Sequence, residues 1–301
     1  MLAPPISLHH PLPAITLRLL AAALFAVMAA LIKLASDAGV PLLHLMFWRF
    51  GFGLAPLLLY VSLRSSFGAL KTSRPRAHLV RGAIGLASMW TSFEAVRRLP
   101  LAEATTISFA APLLAIALST IFLGEQVGWR RWTAVALGML GVAVVMQPGG
   151  EQLDQVGLLF AAAGAAGVAA ITLAIRRLGA TEPPETTVWW FTTGSMAALF
   201  PLLLTTEAPS GWTAWSLLLA IGLTGGTAQI AMTSSLRLAP VPVVAPFDYS
   251  QIVWATALGW ALYDRLPAPA TWAGGMLIVL TGLYSLFRER QLARMRTPSA
   301  R

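Results

Sequence analysis

The chain has no cysteine among its 301 residues. That absence excludes disulfides, thiolate metal sites and a cysteine nucleophile. Charge is scarce too. Asp, Glu, Lys and Arg make up 11% of the residues, against about 25% in a soluble globular domain. Lysine occurs only at Lys33 and Lys71, and neither closes a glycine-rich phosphate loop, so no ATPase site is expected. His9, His10, His44 and His78 lack metal-ligand spacing, and no Gly-x-Ser-x-Gly occurs. The chain is therefore not read as an enzyme, with no catalytic residue, no metal site and no cofactor expected. Segments of alternating apolar and polar residues are missing, which argues against a β-barrel. No polar stretch is long enough for a separate soluble domain.

What remains is hydrophobic: 57% of residues are apolar and the mean hydropathy is +0.71. Apolar runs recur along the whole length, which predicts an all-α membrane protein. Ten transmembrane helices are expected, at roughly 14–36, 42–63, 79–96, 101–123, 132–147, 156–175, 187–204, 215–236, 241–262 and 271–287. Nine is the competing count, because the fifth run is short and the seventh begins polar. The first run contains Lys33 and precedes no clear small-residue cleavage site, so it reads as a retained helix.

The basic residues give an orientation. With a cytoplasmic N-terminus, the cytoplasmic side holds Arg18, Arg64, Lys71, Arg74, Arg76, Arg81, Arg130, Arg131, Arg176, Arg177 and Arg237. It also holds Arg288, Arg290, Arg294, Arg296 and Arg301, making sixteen of the 21. Arg97, Arg98 and Arg265 lie opposite. This asymmetry follows the positive-inside rule and predicts a multi-pass protein of the bacterial cytoplasmic (inner) membrane with both termini cytoplasmic. The net charge of +9 then suits anionic membrane lipids and not nucleic acid. Trp129, Trp132, Trp189, Trp190, Trp212, Trp215 and Trp272 fall at run ends, as interfacial belts do.

The chain repeats its punctuation. Arg98-Leu-Pro-Leu, a run broken by Pro112, Gly124-Glu125 and Trp132 recur as Arg237-Leu-Ala-Pro, a run broken by Pro246, Tyr263-Asp264 and Trp272. Glu125 is matched to Asp264 and Trp132 to Trp272, with one extra residue in the second loop. Five runs precede the 149–154 loop and five follow it. The expected units are 1–149 and 150–287, with a basic cytoplasmic tail at 288–301. An odd number of spans per unit makes the two repeats inverted, with a binding site at their interface and alternating access between the two sides. Gly82, Gly85, Gly164, Gly167, Gly222, Gly225 and Gly226 are expected to mark close helix packing. Pro112 and Pro246 should kink their spans.

A charge at membrane depth is costly, so each is a candidate for function. Asp248, just after Pro246, is the sharpest: its carboxylate could bind a substrate ammonium group or take up a proton. Tyr249, Gln251 and Trp254 follow it. Glu94 lies one turn from Trp90, and the alternative role for Glu94 is an interfacial pair with Arg97 or Arg98. Lys33 is near enough in sequence to pair with Asp37. Arg49, beside Trp48, reads as a helix anchor or an acid's partner. Gln229, Thr105, Thr106 and Ser108 could face a cavity or bond between helices. Trp90 and Trp254 could stack on a planar substrate. The expected substrate-binding set is Lys33, Trp90, Glu94, Ser108, Phe109, Gln229, Asp248, Tyr249, Gln251 and Trp254.

The stretch Phe93-Glu-Ala-Val-Arg-Arg-Leu-Pro-Leu-Ala-Glu-Ala-Thr-Thr-Ile-Ser-Phe-Ala-Ala-Pro112, with Phe-Leu-Gly-Glu125, resembles the core signature of the EamA-type carriers of the drug/metabolite transporter superfamily. Phe47-Trp-Arg-Phe50 and Trp132…Gly138…Gly141…Gln147-Pro148 carry the same likeness. The resemblance implies two inverted five-helix repeats around a central cavity lined mainly by spans one, three, four, six, eight and nine. It implies secondary transport of a small-molecule substrate. Its branches include amino acid exporters, among them aromatic ones, and importers of S-adenosylmethionine or riboflavin. Export of an aromatic or amphipathic amino acid is the first expectation, and import of a metabolite such as those two is the alternative. The second copy departs from the family pattern, with Tyr263-Asp264 where Gly-Glu is usual and with Asp248 in span nine, so no family role carries over to Asp248. Oligomeric state is not readable from the sequence.

Overall fold

A computed structural model describes residues 11–64, 71–124, 128–146, 153–178, 184–239 and 241–296. Among these the chain is helical, with no strand. The elements are α1 (Pro11–Asp37), α2 (Leu42–Arg64), α3 (Pro75–Arg98), α4 (Leu101–Ser108), α5 (Ala111–Leu123), α6 (Trp129–Met146), α7 (Gln155–Leu178), α8 (Pro184–Leu203), α9 (Trp212–Leu238) and α10 (Val241–Val244). A 3₁₀ segment, Ala245–Tyr249, then leads into α11 (Ser250–Tyr263) and α12 (Pro269–Arg296). Each of the ten predicted runs falls on one helical arm. Six stretches are long and apolar enough to cross a membrane by length and composition: Leu12–Asp37, Leu42–Leu63, Leu101–Phe122, Gln155–Ile175, Trp212–Leu236 and Pro269–Arg288. Glu125, Gln147-Pro148, the 149/150 boundary, Glu151 and Arg301 lie outside the described residues.

Two arms are broken, where the prolines predict kinks. α4 stops at Ser108, and α5 starts with Pro112 in its first turn, where the missing N–H is not needed. In the second broken arm Pro246 opens the 3₁₀ segment. α3 ends because Leu99 is extended ahead of Pro100. Gly124 caps α5 in the left-handed region at φ 65°, and Asp264 caps α11 there at φ 50°. Aspartate is one of the few residues besides glycine that tolerates this region. The caps correct the register read from the sequence: Gly124, not Glu125, is the counterpart of Asp264. With that shift the loops to Trp132 and Trp272 become equal in length.

The arms pack through small residues. α1 lies on α9, α3 on α7, α2 on α9 and α6 on α12. At the α6–α12 crossing, a Cβ on Gly141 would sit 2.8 Å from the Gly274 carbonyl oxygen. A Cβ on Gly164 or Gly167 would meet Ser92 or Ser88 of α3, and one on Gly222 or Gly226 would meet the α2 backbone around Gly53. Lipid tails give helices no hydrophobic reason to associate, so this close approach supplies the attraction. Gly82 differs: a Cβ there meets nothing within 4 Å.

Gly274→Ala is expected to force α6 and α12 apart, costing about 1–3 kcal/mol, and to lower the unfolding midpoint in detergent. Gly82→Ala should leave it unchanged or slightly higher. Equal midpoints for the two variants would contradict the packing described.

Candidate functional site

α1, α3, α4, α7 and α11, with Arg49 from α2, enclose a cavity of about 300 Å³. Its walls are mainly apolar and include Phe25 and Phe93. Polar groups reach it at Ser88, Ser92, Thr105, Ser108 and Gln251. Some of these are tied down: Ser108 donates to the Thr105 carbonyl at 2.7 Å and Ser88 to the Gly164 carbonyl at 3.2 Å. The two broken arms meet beside it. Phe109, at the α4–α5 break, lies against Tyr249 with ring centroids 5.0 Å apart. Tyr249 is buried over Gly282, where a Cβ would overlap its hydroxyl.

At one end of α1, Arg18 holds Asp248 of the 3₁₀ segment through two hydrogen bonds. Arg18 Nε donates to Oδ1, and Nη2 donates to Oδ2 at 2.5 Å. Arg18 is 8% exposed. It was counted among the cytoplasmic-side basic residues; in the structure it lies within α1 and is buried. The fork of a guanidinium matches a carboxylate bidentately, and the pair joins residues 230 positions apart.

The other end of α1 carries a second set of polar ties, about 22 Å away at 1.5 Å per helical residue. Lys33 Nζ donates to the carbonyls of Val96, Arg97 and Leu99 at 3.3, 3.3 and 2.9 Å. These are end carbonyls that α3 itself cannot satisfy. Asp37 takes its hydrogen bond from Tyr263 of α11 at 2.7 Å. Glu94 accepts from Arg97 at 2.8 Å and from Arg98 at 3.0 Å, and Arg97 also donates to Ser36 at 2.8 Å. A recess of about 550 Å³ opens here, with Lys33, Arg98, Glu103, Tyr263 and Arg265 on its walls. Glu103 is 4% exposed, and its Oε1 accepts from Thr271 of α12 at 3.0 Å. In the loop before α7, burial pushes the Asp154 carboxyl up. The backbone N–H groups of Gly157 and Val156 and the Arg98 guanidinium outweigh that and hold it below the usual aspartate value.

The predicted residues therefore separate. Ser108 and Gln251 line the central cavity, with Phe109 and Tyr249 beside it. Asp248 is engaged by Arg18. Lys33 and Glu94 belong to the ties at the far end, Glu94 in the interfacial pairing weighed as its alternative. Gln229 lines a different, smaller cavity with Arg49 and Arg81. Trp90 and Trp254 are 39% and 47% exposed on the outside of the bundle. Arg18, Arg81 and Glu103 did not stand out in the sequence. Arg18 and Arg81 sit close enough to run ends to read as loop charges, and Glu103 follows a Pro-Leu-Ala turn signal.

Comparison with known proteins agrees with this architecture. The model of the EamA-like transporter family matches twice, over residues 12–147 and 155–287. The chain is 30% identical over 267 residues to the pseudopaline exporter CntI of Pseudomonas aeruginosa, covering 88% of this chain and 93% of that protein. It is 27% identical over 281 residues to the riboflavin transporter of Vibrio cholerae, covering 91% and 92%. It is 25% identical over 248 residues to the S-adenosylmethionine uptake transporter of Rickettsia felis, covering 81% and 83%. A solved crystal structure superposes with a TM-score of 0.61 at 23% identity, covering 93% of this chain and 98% of that one. At that identity the likeness concerns the fold alone.

Asp248→Asn should leave the buried Arg18 uncompensated, at a cost of about 3–5 kcal/mol. Removing both charges, as Arg18→Met with Asp248→Leu, should cost less than the single change. Thermal unfolding of the wild type, Arg18→Met, Asp248→Leu and the double variant checks this, and additive losses would show that the two residues are not coupled.

Proposed function

The chain belongs to the EamA-like transporter family, and from that premise we propose that it is a secondary carrier exporting amino acids of aromatic or amphipathic character by alternating access. Its ten helical arms are read as ten membrane spans in two inverted five-helix repeats, residues 1–149 and 150–287, with a basic tail at 288–301. Both termini are placed in the cytoplasm, and the membrane is the bacterial inner membrane.

The observation that carries this reading is the central cavity, walled by both halves and flanked by ties between them. Arg18–Asp248 joins the halves at one end of α1, and Asp37–Tyr263 joins them at the other. Alternating access needs contacts that open at one end while the other end stays shut. The packing supports the repeat: exchanging the halves turns α1 on α9 into α7 on α3, and α1 on α11 into α7 on α5. It also returns α6–α12 and α2–α8 to themselves.

Size and lining support the substrate. A volume of about 300 Å³ is at the small end of ligand pockets, roughly 300–1,000 Å³. That fits an amino acid better than a flavin or a nucleoside. Phe25 and Phe93 offer apolar walls, Ser108 and Gln251 polar contacts. Import of a metabolite is the second reading, favoured by the relatives named as riboflavin and S-adenosylmethionine transporters.

Protein reconstituted in liposomes should exchange radiolabelled amino acids, phenylalanine among them, without ATP. Gln251→Leu should lower the flux at least tenfold, about 1.4 kcal/mol, while Gly82→Ala should not. A panel in which no amino acid moves would remove the export reading. Flux confined to riboflavin or S-adenosylmethionine would favour the second. Repeating uptake under an imposed pH gradient measures proton coupling.

A further inference from the structure

Two arginines in this bundle do not follow the pairing that the other buried cations show. Arg18 has Asp248, and Lys33 has three carbonyls. Arg49 and Arg81 line one cavity between α2, α3, α8 and α9, and no described carboxylate is bonded to either. Arg81 is 8% exposed, and its Nε and Nη1 have no hydrogen-bond partner; Arg49 Nε is buried without one as well. The Arg81 guanidinium lies 3.9 Å from the centre of the Phe191 ring, which carries no net counter-charge.

Like charges buried together with open donors are costly, and a bound anion would relieve that cost. The cavity's volume is about 60 Å³. A single water needs about 10–15 Å³ by this measure, so there is room for a carboxylate or phosphate group but not for a whole metabolite. Gln229 also lines this space. Arg49 is on the wall of the central cavity as well, so the two spaces adjoin at one side chain.

We propose that Arg49 and Arg81 form an anion subsite that takes the carboxylate or phosphate oxygens of the transported solute, next to the central cavity that holds the rest of it. This rests on the carrier reading for the solute, but not for the anion. Guanidiniums present their donors in a planar fork that matches two oxygens of either group. An anionic lipid headgroup carries the same chemistry, so the test separates the two sources.

The measurement is thermal unfolding of the full-length protein followed by tryptophan fluorescence. In neutral detergent, succinate and inorganic phosphate are compared with sodium chloride at matched ionic strength. In a second arm, phosphatidylglycerol is compared with phosphatidylcholine in mixed micelles. Succinate or phosphate should raise the midpoint by several degrees over chloride. Arg81→Lys should keep part of that gain and Arg81→Gln should lose it. A gain seen only with phosphatidylglycerol, and lost in Arg81→Gln, supports the anion site and assigns it to lipid. The same gain in wild type and Arg81→Gln, or no gain with any anion, overturns it. If Arg81→Gln does not fold, Arg49→Gln serves in its place with the same expectations. Because the readout is independent of flux, a failed anion shift leaves the carrier reading standing. An Arg81-dependent shift without any amino acid flux removes the amino acid export reading alone.

Discussion

A lipid interior offers no water to a charged side chain, and the pairing of Arg18 with Asp248 answers that constraint where the two halves of the chain meet. The need to satisfy buried polar groups shapes much else here. Lys33 closes the carbonyl end of α3, Tyr263 bonds Asp37, and Thr271 bonds Glu103. Each contact spans two arms, so each fixes the relation between helices as well as the rotamer of one residue. A helix satisfies its own backbone; side-chain charges must look elsewhere, and the elsewhere is another part of the fold.

Van der Waals contact between small residues supplies the rest of the cohesion. Gly141 against Gly274 brings two backbones together, and Gly164 and Gly167 seat α7 on Ser88 and Ser92. The same glycine-for-bulk exchange makes room at Gly282 for Tyr249. α4 and the 3₁₀ segment interrupt their arms, and the central cavity opens beside those breaks. Proline at both places is the local cause, since it removes a helix hydrogen bond on each arm. The bundle is thus tight along its glycine seams and broken along two proline-bearing arms, and the family match covers both halves.

Much of this was legible in the chain and some was not. The ten arms, their glycine seams and the two proline breaks follow from local sequence, because hydrogen bonding within a helix and the lack of a proline N–H act over one or two turns. Repetition was legible too, but its register was off by one residue. Glycine and aspartate do the same work at Gly124 and Asp264, and letters alone do not show a shared left-handed cap. Charges fared worst. Arg18 and Arg81 lie near the ends of apolar runs and look like loop residues; in the fold they are interior. Trp90 and Trp254 look deep by position along their helices, yet both are rotated outward.

The sequence by itself determined where the apolar arms run, where two of them break and which small residues are available to touch, since those depend on neighbours within a few positions. Tertiary structure decided which charge meets which: Asp248 with Arg18, Asp37 with Tyr263, and Arg49 sharing a cavity with Arg81. Those partners come from arms far apart in the chain. Only the rotation and depth of each packed helix select one partner from several that composition allows.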